Sequence, residues 1–192
     1  PVLQPSATLS RGAFSLNVWG SIDTTDINEQ GDKEFRLQEV DYTLSYGFSP
    51  NKHLALEVGG VLYTFPSIPD TGELFASTTF TSVPLSPSVV VYHDVNEVNG
   101  TYGKVSVSHS FDLTEALAWN LGASQGWGDS SYDEGYFGVD EAGFNDLCLR
   151  TSLTYALNDS VELSGLVQYT EMIDSEIEAA ADATNDAENL VF

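Results

Sequence analysis

The strongest regularity in the chain is an alternation of apolar and polar residues with period two. Residues 14–23 set Phe14, Leu16, Val18 and Ile22 against Ser15, Asn17, Ser21 and Asp23, with Trp19 as the exception. Residues 39–48 set Val40, Tyr42, Leu44, Tyr46 and Phe48 against Glu39, Asp41, Thr43 and Ser45. The pattern recurs over 54–62, 105–111, 147–155 and 161–169. Successive side chains on a strand point to opposite faces, so each segment predicts a strand with one apolar and one polar face. Ten strands follow, at residues 2–10, 13–23, 36–48, 53–65, 73–82, 88–94, 101–111, 116–127, 145–157 and 160–170. Helical spacing competes only over 173–187, where alanines and acids cluster.

The connections alternate in kind. Short turns are predicted after Ser10, Phe48, Ser82, Phe111 and Leu157, and longer segments occupy 24–35, 66–72, 95–100, 128–144 and 171–188. Antiparallel barrels of outer membranes sort their connections this way, with tight turns on one side and long loops on the other. A soluble sandwich has no reason to do so. Before three of the short turns the chain reads Leu44-Ser45-Tyr46-Gly47-Phe48, Val107-Ser108-His109-Ser110-Phe111 and Leu153-Thr154-Tyr155-Ala156-Leu157. Each puts a ring on the apolar face one residue pair before the turn, where an interfacial aromatic girdle belongs.

Composition narrows the picture without changing it. The 192 residues suit a single domain, and 42% hydrophobic with 11% aromatic content argues against disorder. Six Lys+Arg against 29 Asp+Glu give a formal charge of -23, which excludes ordinary nucleic-acid binding. The lone Cys148 excludes an internal disulfide. No apolar run approaches the ~20 residues of a spanning helix, so a membrane protein of this sequence crosses with strands. The fold expected is all-β, an antiparallel transmembrane β-barrel over residues 1–192. Residues 189–192 read as the opening of another strand, and barrels favour even strand numbers. The expectation is therefore twelve strands in the complete protein, with ten to eleven present here and the first and most of the last missing. Ten strands closing on themselves is the alternative.

Several stretches resemble a family of uncharacterised bacterial proteins regarded as outer-membrane barrels. They are Pro1–Ser6, Phe14–Gly20, Glu39–Tyr46, Val91–Val95 and Tyr136–Asp140, in order along most of the chain. The resemblance implies the barrel fold and a bacterial outer-membrane location, with long loops facing outward. It supplies no activity and no catalytic residue.

The polar strand face carries the candidate chemistry. Lys104 and Arg150 lie on it with Glu39, Asp41, Glu57, Asp146 and Glu162, and the two bases are expected to pair with carboxylates. If that face lines a lumen, unpaired charges there are costly. Two readings stay open: an ion-pair network that plugs the barrel, or a narrow cation-preferring pore. Two connections are acidic and lack a base: Asp129, Asp133, Glu134, Asp140 and Glu141 in one, and Glu171 through Glu188 in the other. Hard divalent ions such as Ca2+ or Mg2+ take carboxylate oxygens, but no EF-hand spacing is present, so solvated loops are the default and no cofactor is required. Lipid hydrolysis needs a base and a nucleophile. His93 beside Asp94 is the one candidate base and no Gly-x-Ser-x-Gly elbow exists, so an enzyme is not expected. The remaining class is a membrane-anchored structural protein that contacts other envelope proteins through its acidic loops. The expected partners are outer-membrane lipid and envelope proteins.

Overall fold

The computed structural model describes residues 2–24, 35–158, 161–182 and 188–191. The strands are β1 (Val2–Leu3), β2 (Ser6–Arg11), β3 (Phe14–Asp23), β4 (Arg36–Asn51), β5 (Leu54–Thr64) and β6 (Thr71–Phe80). They continue as β7 (Ser88–Asp94), β8 (Thr101–Asp112), β9 (Leu117–Gly128), β10 (Gly143–Asn158), β11 (Val161–Met172) and β12 (Glu188–Val191). Two helices, α1 (Ser130–Phe137) and α2 (Ser175–Asp182), sit in the connections after β9 and β11. All ten expected strands are present, with no boundary displaced by more than three residues. The first is interrupted at Pro5 and counts as β1 and β2, both paired with β3.

From β3 to β12 each strand pairs antiparallel with the next in sequence, giving one all-β meander of barrel type. No pairing joins β2 to β11 among the described residues, and β11 instead pairs with β12. The ten-strand closure weighed above is therefore not seen. Strict antiparallel order puts the connections after β3, β5, β7, β9 and β11 on one edge and the rest on the other. Length separates the two edges less cleanly than expected, since the 81–87 connection is as long as 65–70. Loop 25–34 with Lys33, the Asp159-Ser160 turn and Asp186 lie outside the described residues.

The distribution of polarity is the reverse of a soluble domain's. Among the described residues the one buried apolar side chain is Ile177, whereas Ser21, Asp23, Ser45, Thr71, Glu73, Asp94, Asp133 and Asn145 are buried. Phe14, Leu16, Tyr42, Leu44, Tyr46, Phe48, Val105, Val107, Phe111, Leu149, Leu153 and Tyr155 are all exposed, on the face the alternation assigned to lipid. In water such a surface would be an extreme apolar patch, and in a bilayer it is the solvated side. Ring contacts cluster beside the short turns: Phe14 with Tyr46 at 5.0 Å, Tyr46 with Phe48 at 5.9 Å, His109 with Phe111 at 4.5 Å and Phe111 with Trp119 at 5.5 Å. Trp127 pairs across strands with Phe144 near the other edge, and both are exposed. Trp119 and Trp127 are eight residues apart on β9. At roughly 3.3 Å per residue and about 40° of tilt they stand ~20 Å apart along the membrane normal, close to the ~25 Å apolar band of such barrels.

Candidate functional site

The inner face gathers its chemistry at the long-connection edge. A cavity of about 830 Å3 opens there, lined by Glu39, Asp41, Glu57, Glu73, Glu97 and Lys104. Tyr63, Tyr92, Tyr102, Tyr132 and Tyr136 share the wall. The cavity joins side chains of β4, β5 and β6 to those of β8 and α1, so the sheet curls around it. Two carboxylates are held by phenols: Tyr63 donates to Glu73 Oε2 at 2.7 Å, and Tyr102 donates to Asp146 Oδ1 at 2.6 Å. Gly126 makes room for the second bond, because a Cβ there would collide with both the Asp146 carboxylate and the Tyr102 hydroxyl.

Helix α1 covers one side of this cavity. Asp129 caps it, accepting from the Tyr132 amide at 2.9 Å, and left-handed Gly138 (φ 74°) ends it. The helix can approach the sheet because two neighbours lack side chains. A Cβ on Gly100 would strike the Tyr132 backbone, and one on Gly128 would strike the Asp133 carboxylate. Tyr132 then stacks on Tyr102 at 5.1 Å and meets Tyr136 at a tilt, 4.5 Å away. Burial raises the Tyr132 hydroxyl far above its ordinary range and the Tyr136 hydroxyl to about 12, so both remain neutral donors.

Asp133 fixes α1 to the sheet. It is fully buried, and its Oδ1 accepts from Asn145 Nδ2 of β10 at 2.5 Å. Its Oδ2 and the Asn145 Oδ1 are both buried without a partner. Burial raises the Asp133 carboxyl above its ordinary 3.8. The bond from Asn145 and the Gly143 amide oppose that rise, and the charges of Asp129 and Asp174 add to it. At Asp129 burial also pulls upward, but donors at Thr101 and Tyr132 prevail and hold this carboxylate below its ordinary value. Beside the helix, where Val98 lies against Gly135, the buried Asp94 accepts from the amides of Asn96, Val98 and Asn99 at 2.9, 3.0 and 3.3 Å and from the Thr71 hydroxyl. It thereby shapes the loop that brings Glu97 and Val98 to the cavity.

The sequence expectations fare unevenly here. Glu39, Asp41, Glu57 and Lys104 do meet in one cavity. Asp146 stands near it through Tyr102, while Arg150 lies lower, among Ser106, Ser108, Asn120 and Ser152, and exposed Glu162 opposes Ala156 near the short-turn edge. The expected ion pairs do not form among the described residues. Arg150 Nε and Nη2 both donate to Gln168 Oε1, at 3.0 and 2.6 Å. Tyrosine hydroxyls satisfy Glu73 and Asp146, because a phenol reaches a carboxylate without bringing a second charge into the interior. In the acidic connection Glu134, Asp140 and Glu141 are exposed, half-buried Asp129 is a cap, and Asp133 alone turns inward. No three His, Cys, Asp or Glu side chains converge to hold a metal ion among the described residues. His93 Nδ1 is 3.1 Å from Thr101 Oγ1, and the Asp94 carboxylate is spent on its loop. A Ser82–His53 contact of 2.6 Å lies among the short turns. Sequence reasoning missed Glu73, Tyr63, Tyr102 and Asn145. Tyr63 and Tyr102 do stand at polar-face positions of their strands, which was a readable signal.

An antiparallel sheet with an apolar exterior, a polar interior and aromatic girdles near both edges defines an outer-membrane β-barrel protein. Residues 4–180 match the family described as MltA-interacting protein MipA, and the chain belongs to that bacterial outer-membrane family. The resemblance to barrels without an assigned role thus resolves into a named family. No curated protein matches the chain.

Proposed function

We propose that the protein is a membrane-anchored barrel whose mouth is stoppered and whose task is to hold a protein partner. By its family's description that partner is MltA. The observation that carries this reading is α1, docked across the long-connection edge by the Asp133–Asn145 bond and the Tyr102–Tyr132 stack. An element pinned inside the mouth by a buried polar contact obstructs passage and rigidifies the edge around it. The exposed Glu134, Asp140 and Glu141 on that connection supply a charged contact surface. Orientation of the long connections away from the cell belongs to the same proposal. The experiment pairs two measurements on the folded protein: capture of purified MltA, repeated with Glu134, Asp140 and Glu141 all changed to Gln, and single-channel recording in planar bilayers. Capture without steady conductance is the expected result. Absence of capture together with regular cation-selective steps would overturn it.

The second reading, a narrow cation-preferring pore, is favoured by the surplus of carboxylates over Lys104 on the cavity wall. It predicts that loosening α1 by Asp133→Ala raises conductance without altering its preference for cations.

A further inference from the structure

The cavity beneath α1 is built for more than obstruction. Two independent features share its wall. One is charge: Glu39, Asp41, Glu57 and Glu73 face Lys104, the one base on the lining among the described residues. The other is a continuous run of rings, Phe75 to Tyr92 at 5.5 Å, Tyr92 to Tyr102 at 6.4 Å, Tyr102 to Tyr132 at 5.1 Å and Tyr132 to Tyr136 at 4.5 Å. Packing of a lipid-facing sheet requires no such run on the polar face.

Together these select a class of ligand. A metal ion needs converging donors, and no three acidic or histidine side chains converge among the described residues. The carboxylates instead form two groups along the wall, Glu39, Asp41 and Glu73 toward the long-connection edge and Glu57 farther down the sheet, which suits cationic centres held apart on a carbon chain. Ring faces attract ammonium groups and cover methylene stems at the same time. The hydrogen bonding agrees. The hydroxyls of Tyr63 and Tyr102 are already committed to Glu73 and Asp146, whereas Asp41 Oδ1 is a buried acceptor with no partner. A volume of about 830 Å3 is that of a small-molecule site. We propose that this cavity binds a linear organic polycation of the aliphatic polyamine class. The assignment stands apart from the protein partner proposed above and survives its failure.

The probe is spermidine, titrated calorimetrically into the full chain folded in detergent micelles at physiological salt. A single saturable site is expected. Glu57→Gln, which keeps the side-chain shape, and Tyr92→Leu, which removes a ring face, should each weaken binding about tenfold. Glu115→Gln, in a short turn at the opposite edge, should leave it unchanged. Circular dichroism establishes that each variant is folded, and if Tyr92→Leu is not, Glu57→Gln carries the test alone. Absence of saturable binding overturns the proposal. So does binding that Mg2+ displaces at equal charge concentration and that Glu57→Gln leaves intact, because that is screening of an acidic surface. Equal affinity for a neutral trisaccharide overturns it as well, by showing that the rings act without the carboxylates.

Discussion

Replacing Asp133 by Asn should tighten the mouth of the barrel at neutral and alkaline pH. A carboxyl and a primary amide that share one hydrogen bond can share a second once the carboxyl carries a hydrogen. Asp133 and Asn145 have the first bond, and the two buried atoms left without partners belong to this same pair. An ionised Asp133 cannot close the second bond, while a protonated Asp133 or an introduced amide can. Each buried polar atom left unpaired costs about 1–3 kcal/mol, so the substitution should stabilise the docked α1 by about that much. The pH dependence follows from the raised carboxyl. Its folded pKa lies above the ordinary 3.8, so the folded state holds the proton more tightly than the unfolded one. Its contribution to stability is therefore complete below about 3.8, declines as pH rises through the window up to the raised folded value, and is constant beyond it. The gain from Asp133→Asn should accordingly be full at pH 8 and shrink toward zero below pH 4. Amide hydrogen exchange in α1 measures it directly, since a gain of about 1–3 kcal/mol slows exchange by local opening roughly five- to hundredfold. Asp133→Ala, which removes the acceptor of Asn145 and opens a cavity, should speed exchange at every pH. If Asp133→Asn exchanges as fast as the native chain at pH 8, or shows the same gain at pH 4, the pairing argument is wrong.

Further outcomes follow from the same geometry. Gly128→Ala should release α1, because its Cβ meets the Asp133 carboxylate, and limited proteolysis within 129–142 should appear while the sheet's melting temperature in detergent holds. Arg150→Ala should cost no more than about 1 kcal/mol in a detergent melt, since the exposed guanidinium bonds a neutral amide and leaves no buried carboxylate uncompensated. Asp129→Ala should lose an N-cap worth about 1 kcal/mol. Its depressed carboxylate contributes stability above the ordinary 3.8 that disappears as pH falls through the folded value, so the difference in α1 protection between the variant and the native chain should narrow as the pH is lowered below 3.8. In single-tryptophan variants, brominated lipid should quench Trp119 and Trp127 but spare Trp19, which shares the inner face with its cross-strand partner Asp41. Quenching of Trp19 alone would invert the faces.

What the sequence disclosed and what it withheld divide along a physical line. Strand positions and the outer face were legible because lipid imposes a period-two demand on every strand, and a one-residue slip would turn a whole apolar set inward. Trp19, the exception in the alternation, is no exception in the structure: it stands on the polar face opposite Asp41, a place an amphipathic ring tolerates. The interior was legible only as composition. Counting charges on the polar face put Lys104 and Arg150 in ion pairs, because a sequence reveals which charges share a face and not which neutral donors lie closer. Tyr63, Tyr102 and Gln168 took those places. Helix α1 was invisible for a further reason. Its mean polarity is that of a loop, and what makes it a helix is a cap at Asp129, a left-handed stop at Gly138 and a seat cleared by Gly100 and Gly128. Gly100 and Gly128 lie in or beside predicted connections, Gly100 in an Asn-Gly turn signal, and nothing in either segment alone tells that a helix sits against them. The mouth of the barrel is thus determined by contacts between segments that each look unremarkable alone, and the residues of greatest functional interest are those for which no single-segment pattern was available.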